Sequence, residues 1–107
     1  MNFKILIEID GEWLPFTWGE LNQAIISGVD LTHNKKRFWT GLLDKNGKEI
    51  YESDIVKRTG YLPQEIWFED GGYLIGIKDN SDHHFYQAIA KQSEIIGNIH
   101  ENPELLK

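Results

Sequence analysis

The chain of 107 residues contains no cysteine. Disulfides, thiolate metal sites and cysteine nucleophiles are therefore excluded, and the composition suits a reducing compartment. Long apolar runs are also missing, because no segment approaches the roughly 18 residues of a membrane-spanning helix. The start, Met1-Asn2-Phe3-Lys4, lacks the apolar core of a signal peptide. We therefore expect a cytoplasmic protein with no membrane contact.

An excess of positive charge is missing too. The net charge is −6 and the isoelectric point is about 5.1, whereas nucleic-acid binders gain much of their affinity by neutralising phosphates. The composition therefore argues against nucleic-acid binding. Residues 31–58 carry seven basic and four acidic side chains, a net charge of +3, between acidic segments of −4 (residues 1–30) and −5 (residues 59–107). This pattern either averages out in an interleaved fold or gives a bipolar surface that docks on itself or on a partner.

The residues that could bind a metal ion are poorly placed. His83 and His84 are adjacent, so on a strand they point to opposite faces, and a shared site would need His33 or His100 beside them. The segment 44–47 begins like a calcium loop, but the helices that flank such loops are missing. We therefore predict no metal site.

Signals for catalysis are equally weak. No serine lies in a nucleophile-elbow context, and the glycine-rich segments do not form a phosphate-binding loop. The carboxylates are numerous, but acid–base catalysis needs a cleft that perturbs their pKa values. We predict no catalytic residue, no cofactor and no enzymatic activity.

The chain does contain many short segments with strand-like alternation. Residues 2–9 place Phe3, Ile5, Ile7 and Ile9 on one side, which predicts a half-buried strand. Turn signals separate further predicted strands at 12–14, 37–42, 48–51, 55–58, 65–68, 73–77, 83–90 (where a helix is the alternative) and 94–100. The expected fold is mostly β with one N-terminal helix, as a small bent antiparallel sheet or an SH3-like barrel. We expect one domain, with a strand–helix part at 1–36 and a barrel core at 37–107.

One helix has clear start and stop signals. Thr17 and Glu20 have the spacing of a capping box, and Gly28 suits the residue that follows a helix. A helix of about ten residues is marginal alone, so it should pack on the sheet. Its packing face should contain Leu21, Ala24 and Ile25.

The sequence of residues 40–56 predicts two sharp changes of chain direction. Asp44, Asn46 and Gly47 have the composition of a tight hairpin turn, in which Asn-Gly supplies positive φ angles. Asp54 follows a second bend, where its carboxylate can accept hydrogen bonds from nearby backbone. We interpret all four residues as a structural turn motif.

Residues 40–56, together with 94–106, resemble the YopX family of small proteins from temperate phages and prophages. The resemblance implies a mostly β fold, a phage or prophage origin and no known enzymatic activity. Family members usually have glycine where this chain has Ser53, and a serine there argues against a positive φ at this bend. The first 36 residues depart from the family pattern.

The remaining signals favour binding. Four tryptophans are many for a chain of 107 residues. Tryptophan and arginine are enriched at protein interfaces. The residues predicted for a partner surface are Arg37, Trp39, Tyr61 and Trp67. The favoured function is a phage or prophage accessory protein that acts by binding a host or phage protein and by assembling into a homo-oligomer.

Two alternatives remain at this stage. One is an acidic inhibitor of a host defence protein or of a protein that handles nucleic acids, which would act by electrostatic complementarity. The other is a barrel that binds a small ligand or single-stranded nucleic acid on aromatic side chains. The second alternative requires five basic residues to converge on one face: Lys35, Lys36, Arg37, Lys57 and Arg58.

Overall fold

Strands make up most of the regular structure in a computed structural model that describes residues 4–77 and 80–106. The fold is mostly β, with two antiparallel sheets, one of which curls into a half-barrel. This confirms the predicted fold class. The chain divides into two units, Met1–Trp39 and Thr40–Lys107, and the boundary lies close to the predicted one at residue 36. The assignment of the whole chain to one domain stays a prediction.

The first unit is built on a β-hairpin. Strand β1 (Lys4–Ile9) pairs with β2 (Glu12–Thr17) and with the first residues of β3 (Lys36–Leu43). Asp10 and Gly11 join β1 to β2 with φ angles of 53° and 84°, as a tight hairpin turn with two left-handed residues requires. Ile5 and Ile7 are buried, so the predicted alternation does set the face that β1 turns inward.

Helix α1 (Trp18–Ile26) begins where the sequence predicts. Thr17 N donates to Glu20 Oε1 at 2.9 Å, and Glu20 N donates to Thr17 Oγ1 at 3.3 Å, which completes the capping box. No residue of α1 is buried. Leu21 and Ala24 are half-buried but Ile25 is exposed, so the predicted packing face is wrong for Ile25.

The second unit contains a five-stranded sheet in the order β8-β7-β6-β5-β9, and the last residues of β3 pair with β4. Its elements are β4 (Glu49–Tyr51), β5 (Asp54–Lys57), β6 (Gln64–Glu69), β7 (Gly72–Ile77), β8 (Asn80–His84), α2 (Gln87–Ala90), β9 (Glu94–Asn98) and a 3-10 helix (Pro103–Leu106). The predicted strand at 83–90 is therefore wrong beyond His84, because a short helix follows it.

The core of the second unit collects apolar residues from strands and from α2. Ile50, Val56, Ile66 and Ile75 are almost fully buried. Phe85, Ile89 and Ala90 complete the same cluster. Helix α2 thus supplies two buried side chains, which explains why a four-residue helix persists at this position.

Candidate protein-binding surface

Two of the four residues predicted for a partner surface are buried. Arg37 in the first unit is 3% exposed, and its guanidinium carbon lies 5.0 Å from the centre of the Trp13 ring. Trp67 in the second unit is 7% exposed. A buried side chain offers little area to a partner, so the structure corrects the prediction for Arg37 and Trp67.

The other two residues are accessible but already make contacts. Trp39 is half-buried, and the ammonium of Lys4 lies 5.2 Å from its ring centre. Tyr61 is exposed, and the guanidinium carbon of Arg58 lies 3.8 Å from its ring centre. Both arrangements are cation–π contacts. A partner role for Trp39 and Tyr61 stays a prediction.

Most of the basic residues predicted for a shared cationic face already make contacts within their own unit. Four of the five have side chains engaged within their own unit: Lys36, Arg37, Lys57 and Arg58. Lys36 Nζ donates to the carbonyl oxygens of Leu31 and Asn34 at 2.8 and 2.9 Å. Lys57 Nζ donates to the carbonyl oxygen of Arg58 at 2.9 Å. Binding of single-stranded nucleic acid on these five residues stays a prediction.

Asp44 is a structural centre of the second unit. Its Oδ1 accepts from the backbone nitrogens of Asn46 (2.8 Å) and Lys48 (2.9 Å), and its Oδ2 accepts from Ile95 N (3.2 Å). Burial raises the pKa of this carboxyl, but the three backbone N–H donors outweigh that effect, and the pKa lies below its usual value. Gly47 closes the turn with a φ of 81°. A carboxylate held in this way is a scaffold rather than a proton donor near neutral pH.

The second bend of the motif is held in a similar way. Asp54 is buried, and its Oδ2 accepts from Tyr51 N at 2.8 Å. Its neighbour Ser53 has a φ of 76°. The positive φ is therefore kept although the residue is not glycine, which corrects the expectation from the sequence.

A cleft of about 450 Å³ opens beside the Asp44 turn and is lined by residues 41–45, Gly47, Gln87 and Lys91. Its one carboxylate belongs to Asp44, which is committed to backbone donors. Among the residues the structure describes, no group of three histidine or carboxylate side chains could hold a metal ion. Within the same residues, no helix is long and apolar enough to cross a membrane.

Helix α1 and Val29, three residues after it, leave large apolar side chains in solvent. Trp18 is 58% exposed, Ile25 59%, Ile26 78% and Val29 49%. Isolated exposed apolar residues are ordinary, but a cluster on one short element indicates an interaction site. We call Trp18, Ile25, Ile26 and Val29 the α1 surface.

A groove of about 510 Å³ adjoins the α1 surface. Its apolar lining comes from Leu21, Ile25, Val29 and Leu31, and its polar lining from Gly28, Asp30, Thr32 and Lys36. A Schellman motif shapes this groove: Gly28 N donates to Ile25 O, and Val29 N donates to Ala24 O, both at 3.0 Å. Gly28 accordingly has a φ of 87°. The motif turns Val29 back against the helix, so the groove is built by local hydrogen bonds.

The α1 surface is nearly free of charge. Between Trp18 and Val29 the only charged residue is Glu20, whose carboxylate accepts from Thr17 N. Cores of protein interfaces are depleted in charge in the same way. Sequence reasoning missed this surface because it assigned Ile25 to the packed side. The signal was present in Ala24-Ile25-Ile26, since three successive apolar residues cannot all face one side of a helix.

Comparisons with known proteins agree with the fold. The family model described as YopX protein matches residues 23–107, so the match begins inside α1. The crystal structure of protein EF1440 from Enterococcus faecalis is similar, with a TM-score of 0.56 and 29% sequence identity. The similarity covers 98% of this chain and 75% of that chain, and it therefore takes in the N-terminal unit. No curated protein matches the chain at a significant level.

Proposed function

The chain belongs to the YopX protein family, and we propose that it acts there as a non-enzymatic protein-binding domain that assembles with a second copy of itself. The α1 surface is the contact. We place the protein in the host cytoplasm as a phage or prophage accessory protein, a setting that rests on what the family resemblance implies. The observation that carries the proposal is a helix with no buried residue and four exposed apolar side chains on it and just after it.

The marginal stability of α1 by itself favours contact with a partner. A helix of nine residues is marginal in water and depends on packing, yet α1 contributes only half-buried side chains to its own unit. Burying one isoleucine or valine is worth about 1.5–3 kcal/mol relative to full exposure. Contact with a partner would therefore stabilise the helix and remove apolar area from water.

The shape of the α1 surface favours a second copy of the chain as the partner. Ile26 projects from α1, and the groove lined by Leu21, Ile25 and Val29 lies on the same element. A two-fold axis beside α1 brings the Ile26 of each copy to the groove of the other, which is the geometry of an isologous dimer. Each copy carries a net charge of −6, and the uncharged α1 surface is where two such molecules meet with little repulsion.

Sedimentation velocity at micromolar concentrations tests the proposal. We compare the wild type with Ile26→Asp and with Leu62→Asp, a matched control because Leu62 is 75% exposed in the second unit. We expect the wild type and Leu62→Asp to dimerise with rising concentration and Ile26→Asp to remain monomeric. A wild type that stays monomeric, or an Ile26→Asp variant that dimerises like the wild type, overturns the proposal. Far-UV circular dichroism shows whether each variant keeps the fold.

The inhibitor hypothesis stays a prediction. The second unit carries twelve acidic and seven basic residues in 40–107, but no described feature points to a basic partner.

A further inference from the structure

The hairpin loop between β5 and β6 holds a buried cation without an anion. Arg58 is 5% exposed, and its Nη2 donates to the side-chain oxygen of Gln64 at 2.9 Å. Its Nε is buried and has no hydrogen-bond acceptor. Throughout residues 4–77 and 80–106, no carboxylate is paired with Arg58. The arginine therefore keeps an unused donor next to a neutral amide.

This arrangement is unfavourable for a purely structural arginine. Buried charges in proteins are normally paired. A buried donor left without an acceptor is destabilising, and more so when the group is charged. The unused Nε–H and the neighbouring Nη2 form the edge of the guanidinium that binds carboxylates through two parallel hydrogen bonds. Gln64 supplies one neutral oxygen where a carboxylate would supply two charged ones.

The turn that follows Arg58 brings an aromatic ring, a second cation and an exposed leucine close to its guanidinium. Tyr61 N donates to Arg58 O at 3.1 Å, and Gly60 has a φ of 86°, which is characteristic of the third position of a type II turn. This turn places the Tyr61 ring over the guanidinium. Lys57 Nζ donates to the carbonyl oxygens of Arg58 and Tyr61, so a second cation lies at the same loop. Leu62 is exposed beside Tyr61.

We propose that the loop 57–64 is a binding site for a carboxylate of an organic ligand, supplied by an acidic side chain or a chain terminus of a protein segment. The carboxylate takes the Nε–H and Nη2 edge of Arg58 and shares or displaces the Gln64 contact. The ring of Tyr61 swings away from the guanidinium to admit it. Lys57 adds attraction, and Tyr61 and Leu62 contact the apolar part of the ligand. This site is independent of the α1 surface.

Arginine side-chain NMR tests the proposal, because Arg37 and Arg58 are the only arginines in the chain. The Nε–Hε region of a ¹⁵N-labelled sample contains one signal from each. Either Arg58→Lys or Arg37→Lys assigns both signals, so one folded variant is enough. Sodium benzoate, a carboxylate with an apolar ring, and inorganic phosphate are titrated separately at constant ionic strength with chloride as the balancing anion.

We expect benzoate to shift the Arg58 signal in a saturable way and to leave the buried Arg37 signal in place. A response of Arg58 to benzoate and not to phosphate supports the site as stated. A response to phosphate alone overturns the assignment to carboxylates and makes the site one for phosphate. An Arg58 signal that moves with neither probe, or equal shifts of Arg37 and Arg58, overturns the site itself.

Discussion

At the scale of single residues, Ser53 adopts a conformation that usually belongs to glycine. Its φ is 76°. Its backbone is fixed on both sides, since Ser53 N donates to Ile66 O at 2.7 Å and Ser53 O accepts from Ile99 N at 2.9 Å. The surrounding strands thus impose the left-handed conformation on a residue with a Cβ, for which it costs about 1–2 kcal/mol.

Ser53→Gly should therefore stabilise the protein. The substitution removes the left-handed strain but adds about 0.5–1 kcal/mol of backbone entropy to the unfolded chain. The net gain should be about 0.5–1 kcal/mol in the free energy of unfolding, measured as a higher urea midpoint at unchanged m. Gly47→Ser, at a φ of 81°, is the reverse control and should lower the midpoint. Equal or lower stability of Ser53→Gly would show that the serine side chain outweighs the strain.

Asp44 should make the free energy of unfolding depend on pH in the acidic range. Burial raises its pKa, but the three backbone donors bring it below the usual value. Because the folded-state pKa is depressed, the Asp44 contribution is fully present above the unfolded-state pKa of about 3.9. It is lost as the pH falls through the folded-state pKa.

Asp44→Asn should be less stable than the wild type at pH 7 by about 1.5–3 kcal/mol. The gap should narrow below pH 4, because the wild type loses stability there and the amide does not titrate. Urea unfolding at a series of pH values measures both effects. A gap that stays constant across this range would contradict the assignment.

At the scale of elements, β9 and the C-terminal 3-10 helix are packed at a distance that leaves no room for a side chain at Gly97. A Cβ built there lies 2.6 Å from Asn102 Oδ1 and 2.9 Å from Leu105 Cδ1. The Asn102 oxygen also accepts from Asn98 N at 3.3 Å. The last element is therefore held by a close approach that only glycine allows.

Gly97→Ala should destabilise the protein by about 1–3 kcal/mol, the usual range for overpacking. Gly72→Ala is the control, because Gly72 also lies in a strand and a Cβ there meets nothing within 4 Å. Thermal unfolding of both variants distinguishes the steric clash at position 97 from the general effect of replacing a glycine in a strand by alanine. A Gly97→Ala midpoint equal to that of Gly72→Ala would show that the 3-10 helix moves away freely.

At the scale of the whole molecule, charge and apolar surface act in opposite directions on assembly. The net charge of −6 makes two copies repel each other at long range. The α1 surface attracts at contact, because its four side chains are apolar and exposed.

Added salt should therefore strengthen self-association. The Debye length falls from about 30 Å at 0.01 M to about 10 Å at 0.1 M salt, so repulsion is screened while apolar contact is not weakened. Sedimentation equilibrium at these two salt concentrations should give a lower dimer dissociation constant at the higher one. Weaker association in salt would indicate that ion pairs, and not the α1 surface, hold the copies together.

Local patterns in the sequence determined the features that depend on neighbouring residues. The Thr17 cap, the Asp44–Gly47 turn and the strand alternation around Ile5 and Ile7 could all be predicted, because each is set by backbone preferences within a few residues. The mostly β class followed from their number and spacing. Only the tertiary structure decided which of the successive apolar residues Ala24, Ile25 and Ile26 are exposed, the burial of Arg37 and Trp67, the positive φ at Ser53 and the unused donor of Arg58. Each of these depends on which groups the fold places opposite the residue, and the periodicity of the sequence does not identify those groups.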